Sequence, residues 1–165
     1  MPQLLGEYDC KIDSKGRMRL PSSLMEQLGT EGPHAFVMNR GMEKCLTLYP
    51  KGVWDVIIAR VNKLNIYKKK NREFLRFIYR GATELSPDGS DRILLPKRLI
   101  EYAGIEKDII LFAINDRVEI WAKEQYDRLL EEEPENFSDL AEEVMGAVDL
   151  NPSATDQEDR EAKQD

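Results

Sequence analysis

The chain has 165 residues, 41% of them hydrophobic and 33% charged, with a formal net charge of -7; that is enough for one domain or for two small halves sharing a core. No apolar run reaches membrane-spanning length, no secretory h-region opens the chain, and the two cysteines, Cys10 and Cys45, lack paired spacing. A membrane span and a disulfide framework are thereby excluded, and a cytoplasmic protein in a reducing compartment is expected.

In chain order, Glu7 to Ile12 alternates as a short strand, Asp13-Ser-Lys-Gly16 supplies a turn, and Arg17 to Leu20 is a second short strand. Alternation puts Met18 and Leu20 on the buried face and Arg17 and Arg19 together on the other. Pro21 opens a helix that Gly29 ends. Strands follow at Ala35 to Asn39 and Cys45 to Tyr49. Pro50 starts a helix whose apolar face is Val53, Trp54, Val56, Ile57, Ile58, Val61 and Leu64, and Lys69 to Arg80 is another, with Phe74, Leu75, Phe77 and Ile78 inside. Next come a turn at Asp88, a strand at Arg92 to Leu95, a Pro96-led helix ending at Gly104, and strands at Asp108 to Ile114 and Arg117 to Trp121. Helices at Lys123 to Glu133 and Phe137 to Val148 close the series.

The order of elements repeats because the sequence does. Residues 13–29 and 88–104 align at a constant offset of 75, and seven of the seventeen paired positions are identical; ordinary residue usage gives about one match. The offset becomes 72 further on, pairing Leu48-Tyr49 with Ile120-Trp121 and Trp54 with Tyr126. Each copy is near the size at which a lone domain is marginal, so the two should bury their apolar faces against each other. The expected organisation is a first half at 1–58, connecting helices at 59–80, a second half at 81–130, an acidic C-terminal helix at 131–150 and a disordered acidic tail at 151–165, which has almost nothing apolar to bury.

The net charge is an average over unlike regions. Residues 131–165 carry thirteen acidic and two basic side chains, whereas residues 1–130 carry 22 basic and 18 acidic. The region that should fold is therefore mildly basic, which keeps nucleic acid open as a partner.

Both copies centre on Asp-x-x-x-Arg followed by apolar-x-apolar-Pro. Asp13 and Asp88 suit a turn, accepting backbone hydrogen bonds or pairing with the Arg, and Gly16 tolerates a positive φ. Turn architecture alone is an even alternative for the two Asp residues. It accounts less well for Lys15, Arg17 and Arg19, three cations with no packing reason to share one hairpin. Projecting from a two-stranded ribbon, they suit phosphates and major-groove base edges.

Asp13-Ser-Lys-Gly-Arg17 with Pro21, Cys45-Leu-Thr-Leu-Tyr-Pro50, Gly81-Ala82, Asp88 to Arg92 and Glu119-Ile-Trp121 together resemble the MraZ family, across about residues 1–148. The resemblance implies an α+β fold of two pseudo-symmetric AbrB-like swapped-hairpin halves forming one small β-barrel with flanking helices. It also implies subunits in a closed homo-oligomeric ring, and a nucleoid-associated transcriptional regulator of the division and cell-wall gene cluster. Such a regulator would bind short G-rich direct repeats of double-stranded DNA in its own promoter. Carried over by position, the DNA contacts fall on Lys15 and Arg17, with Arg92 as the counterpart. The second copy departs from the pattern, with Ser90 and Asp91 where the first has Lys15 and Gly16.

Other readings compete. The basic stretch from Arg60 to Arg80 is a second nucleic-acid surface or, at better odds, the solvated face of two amphipathic helices. Paired turn Asp residues in two copies suggest an aspartic-protease dyad, but the Arg four residues after each would favour ionised Asp and oppose proton sharing. Without His-rich, Cys-rich or Gly-rich phosphate motifs, no enzyme, cofactor or metal site is expected. Cys10 and Cys45 read as small buried residues, and His34, in a loop after Gly-Pro, as a surface residue. An oligomeric scaffold that uses its barrel for protein contacts is the alternative to DNA binding.

Overall fold

The computed structural model describes residues 3–29, 32–132 and 134–146, in two compact units, Met1–Arg128 and Leu129–Asp165. The first unit opens with strand β1 (Leu4–Lys11), the turn at Asp13, strand β2 (Arg17–Arg19) and helix α1 (Ser22–Leu28). Strands β3 (Phe36–Arg40) and β4 (Leu46–Pro50) lead to helices α2 (Lys51–Val61) and α3 (Lys69–Gly81). The second copy supplies β5 (Thr83–Leu85), β6 (Arg92–Leu94), α4 (Lys97–Ala103), β7 (Asp108–Asn115) and β8 (Arg117–Ala122), and then α5 (Lys123–Glu131) begins. Three helices start behind a proline: α1, α2 and α4 follow Pro21, Pro50 and Pro96, each extended at φ between -53° and -59°. The ring presets φ and removes an N–H that a helix start leaves unpaired. Gly104 ends α4 in the left-handed region, φ 64°.

The copies exchange strands. One antiparallel six-stranded sheet runs β1-β7-β8-β4-β3-β5, and a two-stranded ribbon pairs β2 with β6. The leading strand of each copy thus lies against the other copy's sheet strand, β1 on β7 and β5 on β3. At the centre, Thr47 faces Glu119, and these positions are equivalent at the offset of 72. In the ribbon Met18 faces Ile93, equivalent at 75. Each pairing is therefore its own image under exchange of the copies, which is how an intramolecular duplication builds a pseudo-two-fold. Two expectations are revised. Apart from the single bridge Ile12 to Met18, β2 pairs not with the strand before it but with β6. Strand pairing among the described residues closes no β-barrel, since the sheet ends at β1 and β5 and the ribbon stands apart from it.

The core joins both halves. Met18, Leu20, Leu24, Phe36, Met38, Leu46 and Leu48 of the first copy pack in one cluster with Ile93, Leu95, Leu99, Ile109, Leu111 and Ile120 of the second. Each such side chain contributes about 1.5–3 kcal/mol on burial, so neither half keeps its core without the other. The helices between the copies differ from expectation. α2 buries only Val53 and Trp54, and α3 buries nothing; Phe74 and Phe77, expected inside, are 41% and 40% exposed. Helical spacing identifies an apolar face but not what covers it, and among the described residues nothing covers this one fully.

In the second unit, α6 (Phe137–Met145) is capped by Asn136, whose side-chain oxygen accepts from the Asp139 N–H at 3.3 Å. The expected ends of the last two helices, at Glu133 and Val148, and the tail at 151–165 lie outside the described residues.

Candidate nucleic-acid interface

The two Asp turns are built alike. Asp13 Oδ1 accepts the Lys15 and Arg17 backbone N–H groups, both at 2.9 Å, and Oδ2 accepts Arg17 Nε at 2.8 Å. Asp88 repeats this with Ser90 N at 2.8 Å, Arg92 N at 3.0 Å and Arg92 Nε at 3.0 Å. Both carboxyls lie below the usual carboxylate range, first because of the Arg backbone N–H bond and further through the guanidinium. Each Asp is thus held ionised by its own turn, the opposite of a shared proton, so the chemistry of an aspartic dyad finds no support.

The turns are tied to the ribbon. Leu20 N donates to Asp91 O at 2.8 Å and Leu95 N to Gly16 O at 2.9 Å, symmetric bonds that clamp each turn to the other copy's strand. This closeness needs a left-handed residue at the turn. Gly16 takes φ 81° and Asp91 takes φ 58°. Asp is among the few non-glycine residues that visit this region, so the second turn keeps its shape despite losing the glycine.

Met18 and Ile93 fill the inner face of the ribbon, as alternation predicts. The outer face carries Arg17 opposite Leu94 and Arg19 opposite Arg92. Two arginines directly across an antiparallel pair repel, a cost that packing does not explain. Each of the three guanidiniums is oriented through Nε alone: Arg17 to Asp13, Arg92 to Asp88, and Arg19 to the Ser90 carbonyl at 3.1 Å. Among the described residues their terminal amino groups have no protein partner, and the exposed Lys15 side chain has no ion pair. The residues singled out in the sequence, Lys15, Arg17, Arg19 and Arg92 with Asp13, Gly16 and Asp88, are therefore brought together at one ribbon. Forked donors held in place on a narrow two-stranded element match the acceptors of guanine edges and phosphates. The sequence could not reveal that Arg19 and Arg92 share a rung, because they are 73 residues apart and only the strand exchange brings them together.

One donor set suits a cation. Glu43, Cys45 and Glu119 place ligand atoms within 4.8 Å of one another. Burial pushes the Cys45 thiol up to about 12, with Glu119 and Glu43 adding to the effect, and burial also raises the Glu119 carboxyl. In this form the Cys45 thiol holds its proton. Cys45 is fully buried, as expected, whereas Cys10 is partly exposed and His34 is half-buried, stacked on Phe36 at 6.2 Å.

The family model described as "MraZ protein, putative antitoxin-like" matches residues 3–77 and again 78–147, one match for each copy. A protein of Christiangramia forsetii named "Transcriptional regulator MraZ" is 44% identical over 92% of this chain and 98% of its own. Proteins of the same name from Flavobacterium psychrophilum and Bifidobacterium longum are 40% and 36% identical, each over 90% of this chain and over 95% and 97% of their own.

Proposed function

The chain belongs to the MraZ family, and from that premise we propose that it is a DNA-binding transcriptional regulator whose reading element is the β2–β6 ribbon. The observation that carries this is the set of three guanidiniums on one ribbon oriented by protein bonds through Nε alone, with no further partner among the described residues. In this reading Arg17 reads a guanine edge, Lys15 and Arg19 neutralise phosphates, and Arg92 adds a contact from the second copy. Asp13 and Asp88 fix the approach angle of the two reading arginines.

The finer reading follows the family. The DNA sites are short direct repeats in the promoter of the protein's own gene, within a division and cell-wall gene cluster. The two halves are AbrB-like swapped hairpins, and subunits assemble into a closed ring at the nucleoid. The strand exchange and the open face of α3 support the last two points, and no described helix is long and apolar enough to cross a membrane.

The test is binding to DNA from the protein's own upstream region. Arg17→Ala should cost about 1–3 kcal/mol and relax sequence preference, and Arg92→Ala should cost less. A folded Arg17→Ala protein that binds as tightly as the parent would overturn the assignment. Absence of binding by the parent even at low salt would favour an oligomeric scaffold, for which the exposed apolar side of α3 is the specific argument.

A further inference from the structure

Besides the arginines of the ribbon, three others from distant parts of the chain line one cleft. Arg40 at the end of β3, Arg80 in the last turn of α3 and Arg98 in α4 line a cavity of about 200 Å³ with Gly81, Leu99 and Tyr102. No carboxylate lines it, and none of the three arginines forms an ion pair among the described residues. Arg40 is the fixed member. Its guanidinium stacks over Phe77 at 4.4 Å and lies 5.6 Å from the Tyr102 ring, and Nη2 donates to the Phe77 carbonyl at 2.9 Å. Its Nε is buried with no hydrogen-bond partner among the described residues, a costly arrangement for a charged group. Lys44, which does not line the cleft, also lies over the Tyr102 ring, at 4.4 Å. Gly81 makes the approach possible, since a Cβ there would come within 3.2 Å of Arg40 Nε and 2.6 Å of Asn39 Oδ1.

We propose that this cleft binds a phosphate-class oxyanion. Three arginines lining one cleft without carboxylate partners, one of them held by aromatic stacking and a backbone bond, concentrate positive charge that suits a tetrahedral anion. The volume admits a phosphate or diphosphate group. Packing explains Arg40 in part, and the negative end of α3 explains Arg80, but neither explains why Arg98 joins them. The phosphate comes either from a free small anion or from the DNA backbone beyond the ribbon's reach.

The full-length protein is titrated with pyrophosphate by calorimetry, in potassium chloride of matched ionic strength, for the parent, Arg80→Gln, Arg98→Gln and Arg98→Lys, with circular dichroism confirming the fold. The same proteins are then tested on upstream DNA across a salt series. A free anion gives saturable binding that weakens roughly tenfold or more in each Gln variant and partly recovers in Arg98→Lys, with DNA affinity unchanged. A backbone phosphate gives Gln variants that bind specific and unrelated DNA equally more weakly, with a salt slope smaller by about one. Gln variants that match the parent in both assays overturn the site. Arg17→Ala separates this outcome from failure of the ribbon reading, because it leaves pyrophosphate binding intact whatever it does to DNA.

Discussion

Asp13 and Asp88 each accept two backbone N–H groups and one guanidinium N–H, so each turn depends on a negative charge. Their folded-state acidity is strengthened, and the linkage has a definite sign. A carboxyl whose pKa is lower in the folded state contributes stability that is complete above the unfolded value, near pH 4, and is lost as pH falls through the folded value. Acid should therefore loosen the ribbon before it disturbs the apolar core. The check compares thermal melting of the parent with an Asp13→Asn, Asp88→Asn variant from pH 7 down to pH 3. The variant should be less stable at neutral pH, and the gap should narrow on acidification; a gap independent of pH would remove the ionised carboxylates from the account. The same residues show what a sequence can disclose at this scale. The Asp-x-x-x-Arg spacing foretells the bond from Arg to Asp, but not that Asp91 would copy the left-handed turn of Gly16, because that conformation is imposed by the bond from Leu20 in the other copy.

Among the elements, α3 is the one whose pattern and burial disagree. It is strongly amphipathic and buries no residue, and Phe74, Phe77 and Tyr79 on it are exposed, with Ile66 and Tyr67 just before it. A second copy of the chain is the occupant that the proposed ring supplies. Phe74→Glu should then shift the protein toward smaller assemblies in sedimentation while its melting temperature measured as a monomer stays close to the parent's, since a 41% exposed side chain contributes little to the chain's own core. An unchanged assembly would place the interface elsewhere. What was legible at this level follows from physics that acts locally: proline starts, glycine stops and alternating burial put most elements within a residue or two of where they lie. Pairing was not legible. Strand β5 has three residues, too few for a periodic signal, and the turn at Asp13 is as compatible with a local hairpin as with the exchanged β2–β6 ribbon. The partner of a strand is decided by the joint core of Met18, Leu20, Ile93 and Leu95, and no single stretch of sequence contains it.

At the scale of the whole molecule, the duplication yields one ribbon from two copies, and the copies are unequal. Lys15, Gly16 and Arg19 of the first correspond to Ser90, Asp91 and Leu94 of the second, so the pseudo-two-fold of the backbone is broken in charge on the face that would meet DNA. A symmetric ribbon would favour a palindromic site, whereas one cation-rich strand beside a weaker one gives each subunit a direction. Direct repeats are the DNA counterpart of directed subunits arranged around a ring. One ribbon offers few contacts, and its binding should be weak and strongly dependent on salt. Joining several ribbons on a rigid assembly makes each further contact intramolecular, which raises apparent affinity by orders of magnitude without new chemistry, provided the spacing of repeats matches that of the ribbons. DNA with one repeat should therefore bind far more weakly than DNA with several, and inserting about half a helical turn between repeats should reduce affinity toward the single-repeat value. Phe74→Glu should bring the multiple-repeat affinity down to the single-repeat level while leaving single-repeat binding alone. Equal affinity of the parent for one repeat and for several would show that the subunits read DNA independently, and the directed-ring arrangement would fall while the ribbon assignment stood.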